Sequence, residues 1–154
     1  MDFYIRKAKM QDVKNIHALL MDCASAGQLL PRSLNSLYSH LRDFYVLVDK
    51  ESKEIHGCCA LTIYWENLAE IRSLAVSPEL KKHGLGRKLV EACLSEAVTL
   101  GVYKVFTLTY VSGFFARLGF EEVEKEVLPQ KIWADCLNCP KFPDCDETAM
   151  LIKM

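Results

Sequence analysis

The residues best suited to chemistry begin at Lys81-Lys82-His83-Gly84-Leu85-Gly86-Arg87-Lys88, where two glycines sit among four Lys and Arg side chains and a histidine. A strand-like stretch, Ile71 to Val76, precedes the loop, and Leu89, Val90, Cys93, Leu94 and Ala97 follow at helical spacing. A glycine loop between strand and helix points backbone N–H groups and the positive end of the helix dipole at one spot, which makes it an anion site. Gly84 and Gly86 let the main chain turn with positive φ or come close to a phosphate, and the cations supply local charge. A pyrophosphate suits it. The spacing is not that of a nucleotide-triphosphate loop, and no third glycine follows as a dinucleotide fold requires. The bland alternative is a flexible helix entry with solvated lysines.

Three other groups stand out. Glu70 and Arg72 lie two apart in Ala69 to Val76, so strand alternation puts them on one face, as a salt bridge or as working groups. Arg32 lies in the loop Leu29-Leu30-Pro31-Arg32-Ser33, either as a solvated arginine or as a fork for a carboxylate. Cys136, Cys139 and Cys145 form C-x-x-C-x5-C, which offers three thiolates to zinc and needs a fourth ligand. A reduced structural cluster or a transient disulfide are the alternatives, and no metal ligand set is assigned.

These groups need a scaffold. Phe3 to Ala8 reads as a strand, and Val13, Ile16, Leu19, Leu20 and Cys23 as one helix face ending near Gly27. Ser33 suits the N-cap of a second helix carrying Leu34, Leu37, Tyr38 and Leu41. Phe44 to Val48 and Ile55 to Trp65 are β-rich around the polar turn Asp49 to Glu54. Ala69 to Val76, the glycine loop, a helix closing near Gly101, and Val102 to Thr109 make a βαβ unit, for which a right-handed crossover is expected. A short helix, Phe114 to Leu118, stops at Gly119, and Phe120 to Val127 and Thr148 to Ile152 are expected to finish the sheet.

The 154 residues suit one domain, residues 1–154, with 51% hydrophobic and 25% charged residues. A formal charge of -1 gives no field for nonspecific capture of nucleic acid or anionic membrane. Without an apolar run of membrane-spanning length or a signal-peptide start, the cytoplasm is the expected location. Of the seven cysteines, Cys23, Cys58, Cys59 and Cys93 read as small buried hydrophobes.

Lys81-Lys82-His83-Gly84-Leu85-Gly86, preceded by Ile71 to Val76 and Pro78, resembles the acetyl-CoA signature [RQ]-x-x-G-x-[GA] of the GNAT N-acetyltransferases, with Lys81 where Arg or Gln is usual. The resemblance implies a GNAT fold of the α/β class: a mixed, mostly antiparallel central sheet with strands 4 and 5 splayed, flanked by helices. It implies acetyl-CoA as co-substrate. N–H groups of His83, Gly84, Leu85, Gly86, Arg87 and Lys88 would hold the pyrophosphate, and backbone around Leu74, Ala75 and Val76 would pair with the pantetheine arm. Acetyl transfer needs a neutral amine, a base or water chain for its proton, and donors for the carbonyl oxygen as it gains charge. Glu70 stands where several family members carry a catalytic glutamate. The frequent family acid is a tyrosine four residues before Gly119-Phe120; here that residue is Phe115, which leaves Tyr110, another group or solvent for the CoA thiolate.

Leu29-Leu30-Pro31-Arg32-Ser33, Gly57-Cys58-Cys59-Ala60-Leu61, Leu108-Thr109 with Ser112, Gly119-Phe120 and Leu128-Pro129 resemble the acetyltransferase domains of the N-acetylglutamate synthases. That implies a small amino-acid substrate, glutamate first, with Arg32, Arg72 and Ser112 binding it. The chain is similar to the short synthases lacking a kinase-like domain. It reads Thr109-Tyr110-Val111-Ser112 where the synthases have Thr-Arg-Ser, so one carboxylate-binding arginine is missing and Arg72 or Lys131 would compensate. Glutamine, aspartate, a protein amine or a polyamine are other acceptors, and a catalytically silent CoA-binding module is the competing class. A homodimer is compatible with the resemblance; the feedback regulator stays open.

Overall fold

The computed structural model describes residues 2–25, 32–128 and 147–154. Among these residues seven strands form one sheet in the order β1-β2-β3-β4-β5-β7-β6. They are β1 (Phe3–Lys7), β2 (Phe44–Asp49), β3 (Ile55–Trp65), β4 (Leu68–Val76), β5 (Lys104–Thr109), β6 (Glu121–Glu122) and β7 (Thr148–Lys153). Every neighbouring pair is antiparallel except β4 and β5. That parallel pair needs a crossover, which α3 (Leu85–Thr99) supplies.

Helices cover both faces because the strands alternate two apolar sets. On one face α1 (Val13–Ser25) and α2 (Leu34–Ser39) bury Val13, Ile16, Leu20 and Leu37 against Phe44, Val46, Cys58 and Ala60. On the other, α3 and α4 (Ser112–Arg117) pack Leu89, Val90, Cys93 and Phe115 against Leu47, Cys59, Ile71 and Val105. Cys23, Cys58, Cys59 and Cys93 are free and buried, as expected of small hydrophobes. Ser33 caps α2, accepting from Ser36 N at 3.1 Å. At its far end α3 stops where Gly101 takes φ 84° and donates to Val98 O at 3.0 Å.

The strand expected over Phe120 to Val127 is mostly absent. Only Glu121 and Glu122 pair with β7, and Lys125–Val127 turns into a 3-10 helix. Four glutamates at 121, 122, 124 and 126 leave no apolar alternation to hold a longer strand against the sheet. Among the described residues, no helix is long and apolar enough to cross a membrane.

Candidate active site

β4 and β5 are joined at one end and part at the other. Ala69 pairs with Val105 and Glu70 with Phe106, and nothing beyond them pairs. Tyr103 N donates to Asn67 Oδ1 at 2.6 Å behind these pairs, which clamps the closed end. Ahead of them the buried Thr107 hydroxyl donates to Ile71 O at 3.0 Å and replaces the next ladder bond. From Arg72 onward β4 is bonded only to β3, so its other edge keeps backbone groups for a ligand lying in the splay.

A β-bulge lies at the same point. Ala60 pairs with Arg72 and Cys58 with Ala75, so β4 spends one more residue than β3 between these pairs. Ser73 takes up the extra length at φ 55°, a left-handed conformation rare for a non-glycine residue. After the bulge Leu74 and Val76 face the α3 layer and Ala75 the α1 layer.

The glycine loop ends at the N-terminus of α3. Lys82 at φ 72° and Gly84 at φ 75° both take left-handed conformations, which turns neighbouring N–H groups toward one side as in an anion-binding nest. Gly84 is the N-cap and offers no side-chain acceptor, so the first N–H groups of the helix, at Leu85, Gly86 and Arg87, are left for an outside partner. Space is open around Gly84, where an added Cβ would meet nothing within 4 Å. Gly86 lies against the Phe114 ring and Val76, with an added Cβ 3.5 Å from Phe114 and 3.8 Å from Val76 Cγ2. Lys81, Lys82, His83, Arg87 and Lys88 are exposed around it. This cradle fits a pyrophosphate, as the loop composition implies.

On the α1 and α2 side of the splay stands a polar group. Glu70 is buried at 7% exposure; Tyr64 donates its hydroxyl to Glu70 Oε1 at 3.0 Å, and Arg72 Nε is 3.7 Å from that oxygen. Thr62, the cross-strand partner of Glu70, donates to Asp43 Oδ2 at 3.1 Å. Arg32 is buried at 8% exposure, its guanidinium 5.2 Å from the Phe44 ring centre. It donates through Nε and Nη2 to Ser36 Oγ at 3.2 and 3.0 Å, and through Nη1 to Ser73 Oγ at 3.2 Å. Among the described residues no carboxylate lies within ion-pair distance of it. Burial, reinforced by the charge of Arg72, lowers its pKa to about 10 against the pull of Asp43 and Glu70.

The structure therefore brings Arg32, Glu70 and Arg72 into one cluster, and puts the loop from His83 to Lys88 at the head of α3. Tyr110 and Ser112 lie at the C-terminal end of β5, the end toward which the splay opens; Ser112 begins α4. Phe115 is 2% exposed and stacks edge-on with Phe114 and Phe120, at 5.1 and 5.2 Å between ring centres. Leu29 to Pro31, Lys131, Cys136, Cys139 and Cys145 lie outside the described residues. Among the described ones, no group of three or more His, Cys, Asp or Glu is gathered for a metal. Sequence reasoning missed Tyr64, Ser36, Ser73 and Asp43. Tyr64 was within reach, because hairpin register and strand alternation put it on the Glu70 face; Ser73 was not, because its role depends on an unheralded bulge.

A seven-stranded sheet splayed at its one parallel pair, with a glycine-led helix beginning at the mouth of the splay, is the architecture of an acyltransferase that uses acetyl-CoA. The model of the acetyltransferase (GNAT) family matches residues 13–120, and this chain belongs to that family. It is 46% identical to an uncharacterized N-acetyltransferase of Chlorobaculum tepidum, over 97% of this chain and 96% of that one. It is 37% identical to an amino-acid acetyltransferase of Mycobacterium tuberculosis, over 78% of this chain and 69% of the relative. The N-acetylglutamate synthase of Neisseria gonorrhoeae, solved with coenzyme A and N-acetyl-glutamate, superposes with a TM-score of 0.89 at 26% identity. That match covers 99% of this chain but 35% of the synthase, so this chain spans about a third of it.

Proposed function

We propose that this enzyme transfers the acetyl group of acetyl-CoA to the α-amine of a small amino acid bearing a carboxylate, with L-glutamate as the first candidate and N-acetylglutamate, the opening product of arginine biosynthesis, as its product. The observation that carries this reading is Arg32: a buried guanidinium held by two hydroxyls and, among the described residues, paired with no carboxylate, beside Arg72 and Glu70 at the splay. Burying an unpaired charge costs stability, and a substrate carboxylate would offset that cost at the place where it is paid.

The co-substrate supplies an activated thioester. The N–H groups from His83 to Lys88 would hold its pyrophosphate, and the free edge of β4 from Leu74 through Ala75 to Val76 its pantetheine arm. Arg32 and Arg72 orient the carboxylate, which aims the amine toward the splay. Glu70 takes the ammonium proton, directly or through water, with Tyr64 and Arg72 holding its carboxylate in place. Phe115 has no proton to give, so the leaving thiolate is protonated by Tyr110 or by water; Ser112 lines the far side. The absence of an arginine in Thr109-Tyr110-Val111-Ser112 favours a second reading, an acceptor with a single carboxylate such as glutamine.

Release of free thiol from acetyl-CoA by the reduced protein tests this, across glutamate, glutamine, aspartate, a polyamine and a lysine peptide. Saturable turnover with an amino acid, and a rise of about tenfold or more in its KM in Arg32→Met with little change in that of acetyl-CoA, is the expected result. Turnover with the polyamine or peptide alone would overturn the acceptor, and none with any amine would overturn the enzyme reading for a binding module.

A further inference from the structure

Ser73 is an L residue at φ 55°, in the bulge where β4 stops pairing with β5. Left-handed backbone is disfavoured for a residue with a Cβ, a penalty glycine escapes. Something must therefore favour a side chain here, and its hydroxyl makes one contact across the fold: it accepts from Arg32 Nη1 at 3.2 Å. The other two guanidinium bonds both go to Ser36 Oγ, one turn along from Arg32. Ser36 holds the Nε side of the fork; among the described residues, Ser73 alone ties the Nη1 end to the sheet. The Ser73 carbonyl accepts from the buried Cys58 thiol at 3.3 Å, which pins the bulge from the β3 side.

We propose that Ser73 is a positioning residue for the acceptor amino acid: its hydroxyl fixes the rotation of the Arg32 fork and so sets the selectivity of the site for a carboxylate. The proposal rests on the reading of Arg32 as the carboxylate ligand. Three of the five guanidinium N–H groups are bonded to the two serines, and the remaining two are presented in an orientation the serines determine. A planar fork gains from bidentate pairing only when its plane is fixed beforehand. Because Ser73 also carries the bulge in β4, the residue that sets the carboxylate anchor is next in sequence to Leu74, where the proposed pantetheine edge begins.

Two variants separate hydroxyl from backbone. Ser73→Gly removes the hydroxyl and relieves the left-handed conformation; Ser73→Ala removes the hydroxyl and keeps that cost. Both are expected to raise the KM for the amino acid about tenfold, the effect of losing one hydrogen bond to a charged group. The KM for acetyl-CoA should stay near that of the wild type, with Ser73→Gly melting at or above the wild-type temperature. Both variants should also lose part of the preference for glutamate over its carboxyl amides. An unchanged amino-acid KM in Ser73→Gly, or an equal rise in the KM for acetyl-CoA, overturns the proposal. Wild-type protein that accepts both the α-amide and the γ-amide as well as it accepts glutamate overturns the reading of Arg32 itself, and the proposal with it; a wild-type preference that Ser73→Gly keeps whole overturns the proposal alone.

Discussion

The hydroxyl of Tyr64 is 3.0 Å from Oε1 of Glu70, six residues away in sequence and brought onto the same face by the β3–β4 hairpin. The tyrosine ring leans on Phe106, with 5.8 Å between ring centres, so the hydroxyl is held by a packed side chain and not by a mobile one. A hydrogen bond donated to a carboxylate favours its charged form, as does Arg72 at 3.7 Å. Both contacts favour the charged form of a carboxylate that burial disfavours.

Two substitutions follow from that arrangement. Glu70→Gln is expected to lower kcat/KM by roughly 10²–10⁴-fold at neutral pH, the usual worth of a positioned base. The deficit should be largest at low pH and shrink as the pH rises and free amine becomes plentiful, while acetyl-CoA binding is nearly unchanged. Tyr64→Phe leaves the carboxylate but removes its donor, which shifts the acidic limb of the rate profile to higher pH. Rate profiles from pH 5 to pH 10 check both, and parallel wild-type and Glu70→Gln profiles would remove Glu70 as the base.

Gly84 and Gly101 bound α3 and provide an internal comparison. Both have positive φ, 75° and 84°, and at both an added Cβ would meet nothing within 4 Å. Alanine at either is expected to cost roughly 1–2 kcal/mol through backbone conformation alone. Only Gly84 sits where the helix presents unbonded N–H groups, so Gly84→Ala should raise the KM for acetyl-CoA several-fold while Gly101→Ala leaves it alone. Equal losses of stability with unequal losses of cofactor affinity, from melting curves and steady-state kinetics, are the expected pattern. Equal kinetic effects would move the pyrophosphate away from this loop.

The parts of this molecule that were legible beforehand are those written in local pattern. Val13 to Cys23 and Leu89 to Ala97 carry the helical period, and both lie in the helices that period predicts. Glu70 and Arg72 were expected on one face because alternation is a property of any strand, and they meet at 3.7 Å. The short β6 was not legible: apolar Phe120, Val123 and Val127 suggest a strand until the glutamates between them are weighed against an edge with one neighbour. The setting of Arg32 was even less so. Its partners Ser36 and Ser73 are 4 and 41 residues away, and the second contact exists only because β4 bulges at a position with neither glycine nor proline to mark it. Long-range polar contacts of this kind depend on register, which short-range pattern does not encode.

Away from the splay, Asp12 ties the first helix to the first strand. Its carboxylate takes Arg6 Nη1 at 2.7 Å and Nη2 at 3.1 Å, and it accepts Lys9 N at 2.7 Å ahead of α1. Burial would raise its pKa, but the Arg6 guanidinium and the Lys9 N–H outweigh burial and hold it below the usual carboxylate range. A carboxyl whose pKa is depressed by folding stabilises the native state above its unfolded pKa, and that contribution is lost as the pH falls through the folded value. Asp12→Asn should therefore cost about 1–3 kcal/mol at pH 7, where a charged acceptor is replaced by a neutral one. For a chain of this size that is a drop in Tm of roughly 2–4 °C per kcal/mol. Below about pH 4 the wild type begins to lose the same contribution, and the two melting curves should draw together as the pH falls further, through the lowered folded value. A gap that stays constant from pH 7 to pH 2 would mean that Asp12 acts through shape alone and that its charge contributes nothing to folding.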